Sequence, residues 1–108
     1  MSEFRNEKIK NGIRKLAATY IEREAGLTSL ITVTRVLLSD DNKRATIMVS
    51  VMPQEKEKPA YGFIKRNLGK LRKDIAKKLR INPIPFLDVK IDEGEKNRQK
   101  IDELLKNS

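Results

Sequence analysis

Apolar residues recur every three or four positions through the middle of the chain. Ile64, Leu68, Leu71, Ile75 and Leu79 fall on one stripe of a helix with 3.6 residues per turn. Arg66, Lys70, Lys73, Lys77 and Arg80 fall on the opposite side, Lys65 and Arg72 flank them, and Lys78 sits nearer the apolar edge. Asp74 is the only acid in this stretch, spaced to pair with Lys70 and Lys78. The pattern predicts a helix from Gly62 to Leu79 or Arg80 that buries one side in a core and presents dense positive charge on the other. Asn82-Pro83-Ile84-Pro85 ends it, because each proline disfavours the helical conformation in the residue before it.

The same reading extends to both sides. From Asn6 to about Ala25, Ile9, Ile13, Leu16, Ala17 and Tyr20 repeat at helical spacing, and Gly26 is a natural stop. Leu30 to Leu38 is short, β-branched and apolar on much of both faces, which predicts a strand. Ser39 to Lys43 is a turn cluster, and Ala45 to Met52 alternates as a second strand, so the two form an antiparallel hairpin. Gln54 to Pro59 is a polar connector. Phe86 to Ile91 is a third strand with Leu87, Val89 and Ile91 on one side, Asp92-Glu93-Gly94 turns the chain, and Glu95 to about Lys106 closes it as a short helix. The order α-β-β-α-β-α predicts an α+β fold: a three-stranded sheet with helices packed mainly on one face. Such a sheet needs those helices for stability.

The 108 residues are enough for one domain with one core, here 1–108. Lys and Arg number 24 against 15 Asp and Glu, a formal net charge of +9, which favours a polyanionic partner, nucleic acid before anionic membrane. Arg5, Lys8, Lys10, Arg14 and Lys15 lie off the apolar stripe of the first helix and are either a second part of a basic surface or a solvated helix face. No apolar run approaches the length of a membrane span, and the first residues lack the apolar core of a signal peptide. The absence of cysteine fits a cytoplasmic setting.

Candidate chemistry is sparse. With no cysteine and no histidine, thiol catalysis, Cys/His zinc sites and histidine bases are excluded. Gly62 and Gly69 make no phosphate loop. Gly69 costs about 1 kcal/mol relative to alanine inside a helix, so a close helix–sheet contact or a helix defect is expected there. Asp40 and Asp41 fit turn chemistry better than a metal site. Asp88 and Asp92 share a strand face by alternation and read as solvated carboxylates rather than an acid/base pair. No enzyme, cofactor or metal is expected. The aromatics are Phe4, Tyr20, Tyr61, Phe63 and Phe86, and no strand carries two of them two apart, as base-stacking sheets do. Tyr61, just before the basic helix, is the candidate stacker, against an ordinary half-buried tyrosine.

Three stretches resemble the ribosome-binding factor A family in the right order: Ser29 to Val51, Ala60 to Lys65 (A-Y-G-F-I-K), and Leu79 to Asp92 with the following G-E-K-N-R-Q-K-I. The resemblance implies a KH-like fold of the second topological type, and binding to 16S ribosomal RNA in the immature 30S subunit with no enzymatic step. It also implies an Ala-x-Gly kink between two helices, here at Ala60 and Gly62, with Arg66 and Lys70 on the helix after it. The chain departs from the family pattern in two places. Gln54 to Pro59 are too few for a further helix before the kink, and the helix after Gly62 is longer. Ala60-Tyr61-Gly62 is thus either a bend or a passage from loop into helix. The expected RNA contacts are Arg5, Lys8, Arg14, Lys15, Ala60, Tyr61, Gly62, Lys65, Arg66, Lys70, Arg72, Lys73, Lys77 and Arg80. A general RNA- or DNA-binding module and a membrane-surface or acidic-protein binder are the alternatives. Nothing in the sequence signals an obligate oligomer, so a monomer is expected.

Overall fold

The computed structural model describes residues 2–25, 30–81 and 83–106. The β-branched runs form β1 (Leu30–Leu38) and β2 (Arg44–Met52), antiparallel from Leu30 opposite Met52 to Leu38 opposite Ala45. The register shifts between Val33 and Arg35, so Thr34 is an extra, bulged residue. That bulge explains why the sequence of β1 looks apolar on both faces: the buried residues are Val33 and Val36, three apart rather than two. The turn between the strands is built from its own side chains. The Ser39 hydroxyl and the Lys43 N–H both donate to Asp41 Oδ1 (2.7 and 3.0 Å), the Arg44 N–H donates to Ser39 Oγ, and Asn42 takes a positive φ of 60°. Turn chemistry is therefore what Asp41 does.

A 3-10 turn (Gln54–Lys56) leads into α2 (Glu57–Leu79), which carries the chain back to β3 (Phe86–Ile91). β3 lies parallel to β2, with Arg44 beside Phe86 and Val49 beside Ile91, giving a three-stranded sheet of order β1-β2-β3. Parallel neighbours need a long crossover, and α2 is that crossover. The first helix, α1 (Ser2–Glu24), packs over β1 while α2 packs over β3. Ile13 and Ala17 of α1, Ile64, Leu71 and Ile75 of α2, and Ala45, Ile47, Val49 and Val89 of the sheet share one buried core. The Tyr20 hydroxyl donates to Asn67 Oδ1 at 3.0 Å, while a Cβ on Gly12 would stand 2.6 Å from Leu79 Cδ2. Tyr20 meeting the first half of α2 and Gly12 its last turn means that the two helices run antiparallel.

Three expectations are corrected. First, α2 begins at Glu57, so Ala60-Tyr61-Gly62 is neither a bend between helices nor the helix start; it lies inside one continuous helix. Pro59 is tolerated there because it sits in the first turn, where its missing N–H had no intrahelical partner to lose. Gly62 keeps a negative φ. At the other end Arg80 caps α2 in the left-handed conformation, with φ 51°; Asn82, expected in the helix stop, lies outside the described residues, as does Gly26 after α1.

Second, Asp92 is not a solvated strand carboxylate. It is only 2% exposed, and it accepts from the Thr34 hydroxyl (2.6 Å), Arg35 Nε (3.2 Å) and the Glu95 N–H (3.1 Å). The chain leaves the sheet at this point, so Asp92 becomes the N-cap of α3 (Glu93–Lys106) and ties it to the β1 bulge. Those donors, led by the Thr34 hydroxyl, hold its pKa down at about 2. Third, α3 does not close the core: Ile101, Leu104 and Leu105 are all more than half exposed. Its direction is set at its first turn by Asp92, and among the strands it meets mainly β2.

Candidate nucleic-acid interface

The 3.6-residue period of α2 sorts its side chains into four sides. Ile64, Leu71 and Ile75 are buried, with Leu68 and Leu79 half-buried beside them. Arg66, Lys70, Lys73, Lys77 and Arg80 are all exposed on the opposite side. Asn67 and Asp74 mark the flank toward α1, and Lys65 and Arg72 the flank toward β3. Asp74 pairs with Lys78 at 3.5 Å rather than with Lys70. Among the described residues no ion pair engages Arg66, Lys70, Lys73, Lys77 or Arg80. Exposed cations held on one helical side without internal counterions create a positive field that only an outside anion can neutralise. Arg66 also has a reason to follow Gly62 by one turn: its Nη1 lies 3.1 Å from where a Cβ on Gly62 would stand.

The basic positions of α1 divide. Arg5, Lys8 and Lys15 are exposed and lie seven, four and three residues from Gly12, which abuts Leu79 of α2. They extend the cationic surface of the helical layer toward the C-terminal end of α2, where Arg5 lines a cleft of about 250 Å³ with Ile9, Asn42 and Ile81. Arg14 is exposed but off this stripe, and Lys10 pairs with Glu7 at 2.9 Å.

The flank toward β3 behaves differently. Lys65 donates to Asp88 Oδ1 at 2.8 Å, and the same oxygen accepts the Val89 N–H at 2.8 Å. This pairing raises the Lys65 pKa and lowers that of Asp88. It also occupies a backbone donor on the open edge of the sheet, one way proteins blunt edge strands. Arg72 is half-buried; it donates to the carbonyl oxygens of Pro85 (3.1 Å) and Ile84 (2.8 Å), and its guanidinium carbon lies 4.7 Å from the Phe86 ring centroid. Arg72, expected among the RNA contacts, thus commits its Nε and an Nη2 donor to backbone carbonyls inside the fold.

Tyr61 is half-buried against the core, with Lys65 Nζ 5.9 Å from its ring, and it borders an open hollow with Lys58 and Ile91. Ala60 is buried, so its side chain packs inward. Sequence reasoning missed the exposed aromatic on β3. Phe86 is 67% exposed, and the signal was present: Leu87 and Val89 point inward, so Phe86 must point outward.

Comparison with known proteins fits this architecture. The family model described as Ribosome-binding factor A matches residues 5–105. A ribosome-binding factor A from Thermosipho melanesiensis is 34% identical over 116 residues, covering 98% of this chain and 93% of that protein. The crystal structure of ribosome-binding factor A from Thermus thermophilus superimposes with a TM-score of 0.68 at 22% identity, covering 79% of this chain and 93% of that one. A homology model of the Thermus thermophilus ribosome binding factor A, as fitted into the cryo-EM map of its 30S complex, gives a TM-score of 0.64 at 22% identity, over 73% of this chain and 86% of that one. The α-β-β-α-β-α order of this chain is the KH-like α+β arrangement of those structures. With sequence matched from the first helix to the last and the fold shared, the chain belongs to the ribosome-binding factor A family.

Proposed function

We propose that this protein is a non-catalytic assembly factor that binds 16S ribosomal RNA in the immature 30S subunit through the outward side of α2. The observation that carries the reading is the division of α2: Ile64, Leu71 and Ile75 are sealed in the core while Arg66, Lys70, Lys73 and Lys77 stand exposed without a described ion pair. Family membership supports a ribosomal partner, and the 30S complex of the Thermus relative supports the small subunit. The mechanism is occupancy. The cations neutralise phosphates where RNA segments meet and hold that arrangement until release. No covalent step is required, and the side chains offer none: there is no histidine or cysteine, and Asp92 is consumed as a helix cap. The chain acts as a monomeric RNA-binding unit in the cytoplasm. A membrane role is disfavoured because the apolar stripe it would need is buried.

The test replaces Arg66, Lys70, Lys73 and Lys77 together with alanine and measures affinity for a 16S ribosomal RNA transcript from 50 to 300 mM salt. Each phosphate that the variant no longer neutralises should reduce the slope of log affinity against log salt by about 0.7 to 0.9. Weakened binding with a flatter slope is expected. Unchanged affinity and slope, with the circular dichroism spectrum intact, would overturn the proposal.

A further inference from the structure

We infer that Phe86 is a stacking platform for an unpaired nucleobase of the bound RNA, with Arg72 fixing the ring from one side and Arg44 meeting the adjoining phosphate. This rests on the RNA-binding reading above. Among the aromatic side chains described, Tyr20 is buried, and Tyr61 and Phe63 pack against the core. Phe86 alone of these stays open, at 67% exposure. Leaving a phenylalanine in water forgoes roughly 2 kcal/mol of burial. A lone exposed apolar residue needs no explanation by itself; what surrounds this one does.

Arg72 lies against the ring at 4.7 Å, and its guanidinium is held by the carbonyl oxygens of Ile84 and Pro85 at 2.8 and 3.1 Å. The cation is therefore fixed before any ligand arrives, and it restrains the ring it touches. A base stacking on the open part of the ring would lose little side-chain freedom, which is where a pre-organised surface gains affinity. Strand pairing brings the second component. Arg44 is the register partner of Phe86 across β2 and β3, about 5 Å away at strand spacing, and it is exposed. The Phe86 N–H donates to the Lys43 carbonyl at 2.8 Å, which fixes the Phe86 backbone beside that cationic corner.

Small residues lie on the side of α2 between its outward cations and Arg72, the residue that touches this ring. These are Gly69 and Ala76, both exposed, and a Cβ added at Gly69 would meet nothing within 4 Å. Gly69 therefore makes no close helix–sheet contact; it is the modest helix defect, and it leaves the surface low on this side of α2. A single strand gripped by phosphate along α2 can turn over this flank and set one base on the ring. Stacking of this kind tolerates any base, so it would add affinity for unpaired RNA without dictating sequence.

The protein has no tryptophan, which gives a direct readout. In the full chain, Phe86→Trp supplies a single fluorophore at the platform; titration with the 16S ribosomal RNA transcript should quench it, and a blunt RNA duplex should not. Phe86→Leu should lower affinity for the transcript on the order of ten-fold with the salt slope unchanged, because the variant removes a stack and leaves every phosphate neutralised as before. No quenching by the transcript, equal quenching by the duplex, or parental affinity of Phe86→Leu overturns the inference. Failure of the α2 quadruple variant to weaken binding would instead overturn the RNA-binding reading itself, so the two outcomes separate.

Discussion

Asp92 shows how much a single buried carboxylate can organise. It takes donors from the β1 bulge, from Arg35 and from the first turn of α3, and its pKa is held at about 2 against 3.8 for the free side chain. The folded value lies below the unfolded one, so the charged form stabilises the fold. That stability is fully present above about pH 4 and is lost as pH falls toward 2. Asp92→Asn removes the charge and leaves Arg35 without its partner; it should cost about 2 kcal/mol at neutral pH and flatten the acid limb of the denaturation profile, as urea melts between pH 2 and 7 would record. A second contrast tests two glycines of α1 and α2. Gly69→Ala should raise stability by about 0.5 to 1 kcal/mol, since the new methyl enters open space in a helix interior. Gly12→Ala gains the same helix propensity but must displace Leu79 from 2.6 Å, so it should fall well short of Gly69→Ala in the same melts. None of these roles was legible residue by residue. Spacing reveals which side of an element a residue occupies; it does not reveal that Asp92 meets a bulge 58 positions away or that Arg72 meets the carbonyls before β3.

Elements were legible to the degree that their periodicity was set by burial on one side. The apolar stripe of α2 and the inward residues of β2 and β3 read directly, because each has one buried face. The bulge in β1 was hidden, because it changes the period halfway along the strand. The start of α2 was hidden too, since Pro59 looks like a stop until it is placed in a first turn, where it costs no hydrogen bond. α3 carries an apolar spacing that suggests a closing helix, yet its Ile101 and Leu104 find no core. A helix of 14 residues whose described apolar side chains stay mostly exposed leans on its N-cap, and a helix of that length is marginal in water by itself. Its amides should therefore exchange with deuterium far faster than those of α2, which is locked by Ile64, Leu71 and Ile75. Exchange followed by mass spectrometry or NMR would check this; equal protection in α2 and α3 would show that α3 is held by more than its first turn.

At the scale of the whole molecule the charge distribution sets up two opposite responses to salt. The net charge is +9, and the cations on the outward side of α2 have no described internal partners, so they repel one another across a shared surface. In about 10 mM salt the screening length is roughly 30 Å, comparable to the molecule's 30 Å middle dimension, and that repulsion is felt throughout the helical layer. Near physiological ionic strength the length falls to about 8 Å, and most of it is screened. The free protein should therefore melt at a higher temperature as sodium chloride rises from 10 to 150 mM. Ion pairs such as Lys65 with Asp88 weaken over the same range, but exposed pairs add little to stability and do not reverse the trend. Bound RNA should invert the order. At low salt it supplies the missing anions and stabilises the fold by mass action, and the gain disappears as salt releases the complex. Melting curves with and without a 16S ribosomal RNA transcript should thus converge as salt rises, the free curve from below and the bound curve from above. A free protein whose melting temperature falls steadily with added salt would mean that the cations are balanced internally, and the outward side of α2 would lose its claim on an external polyanion.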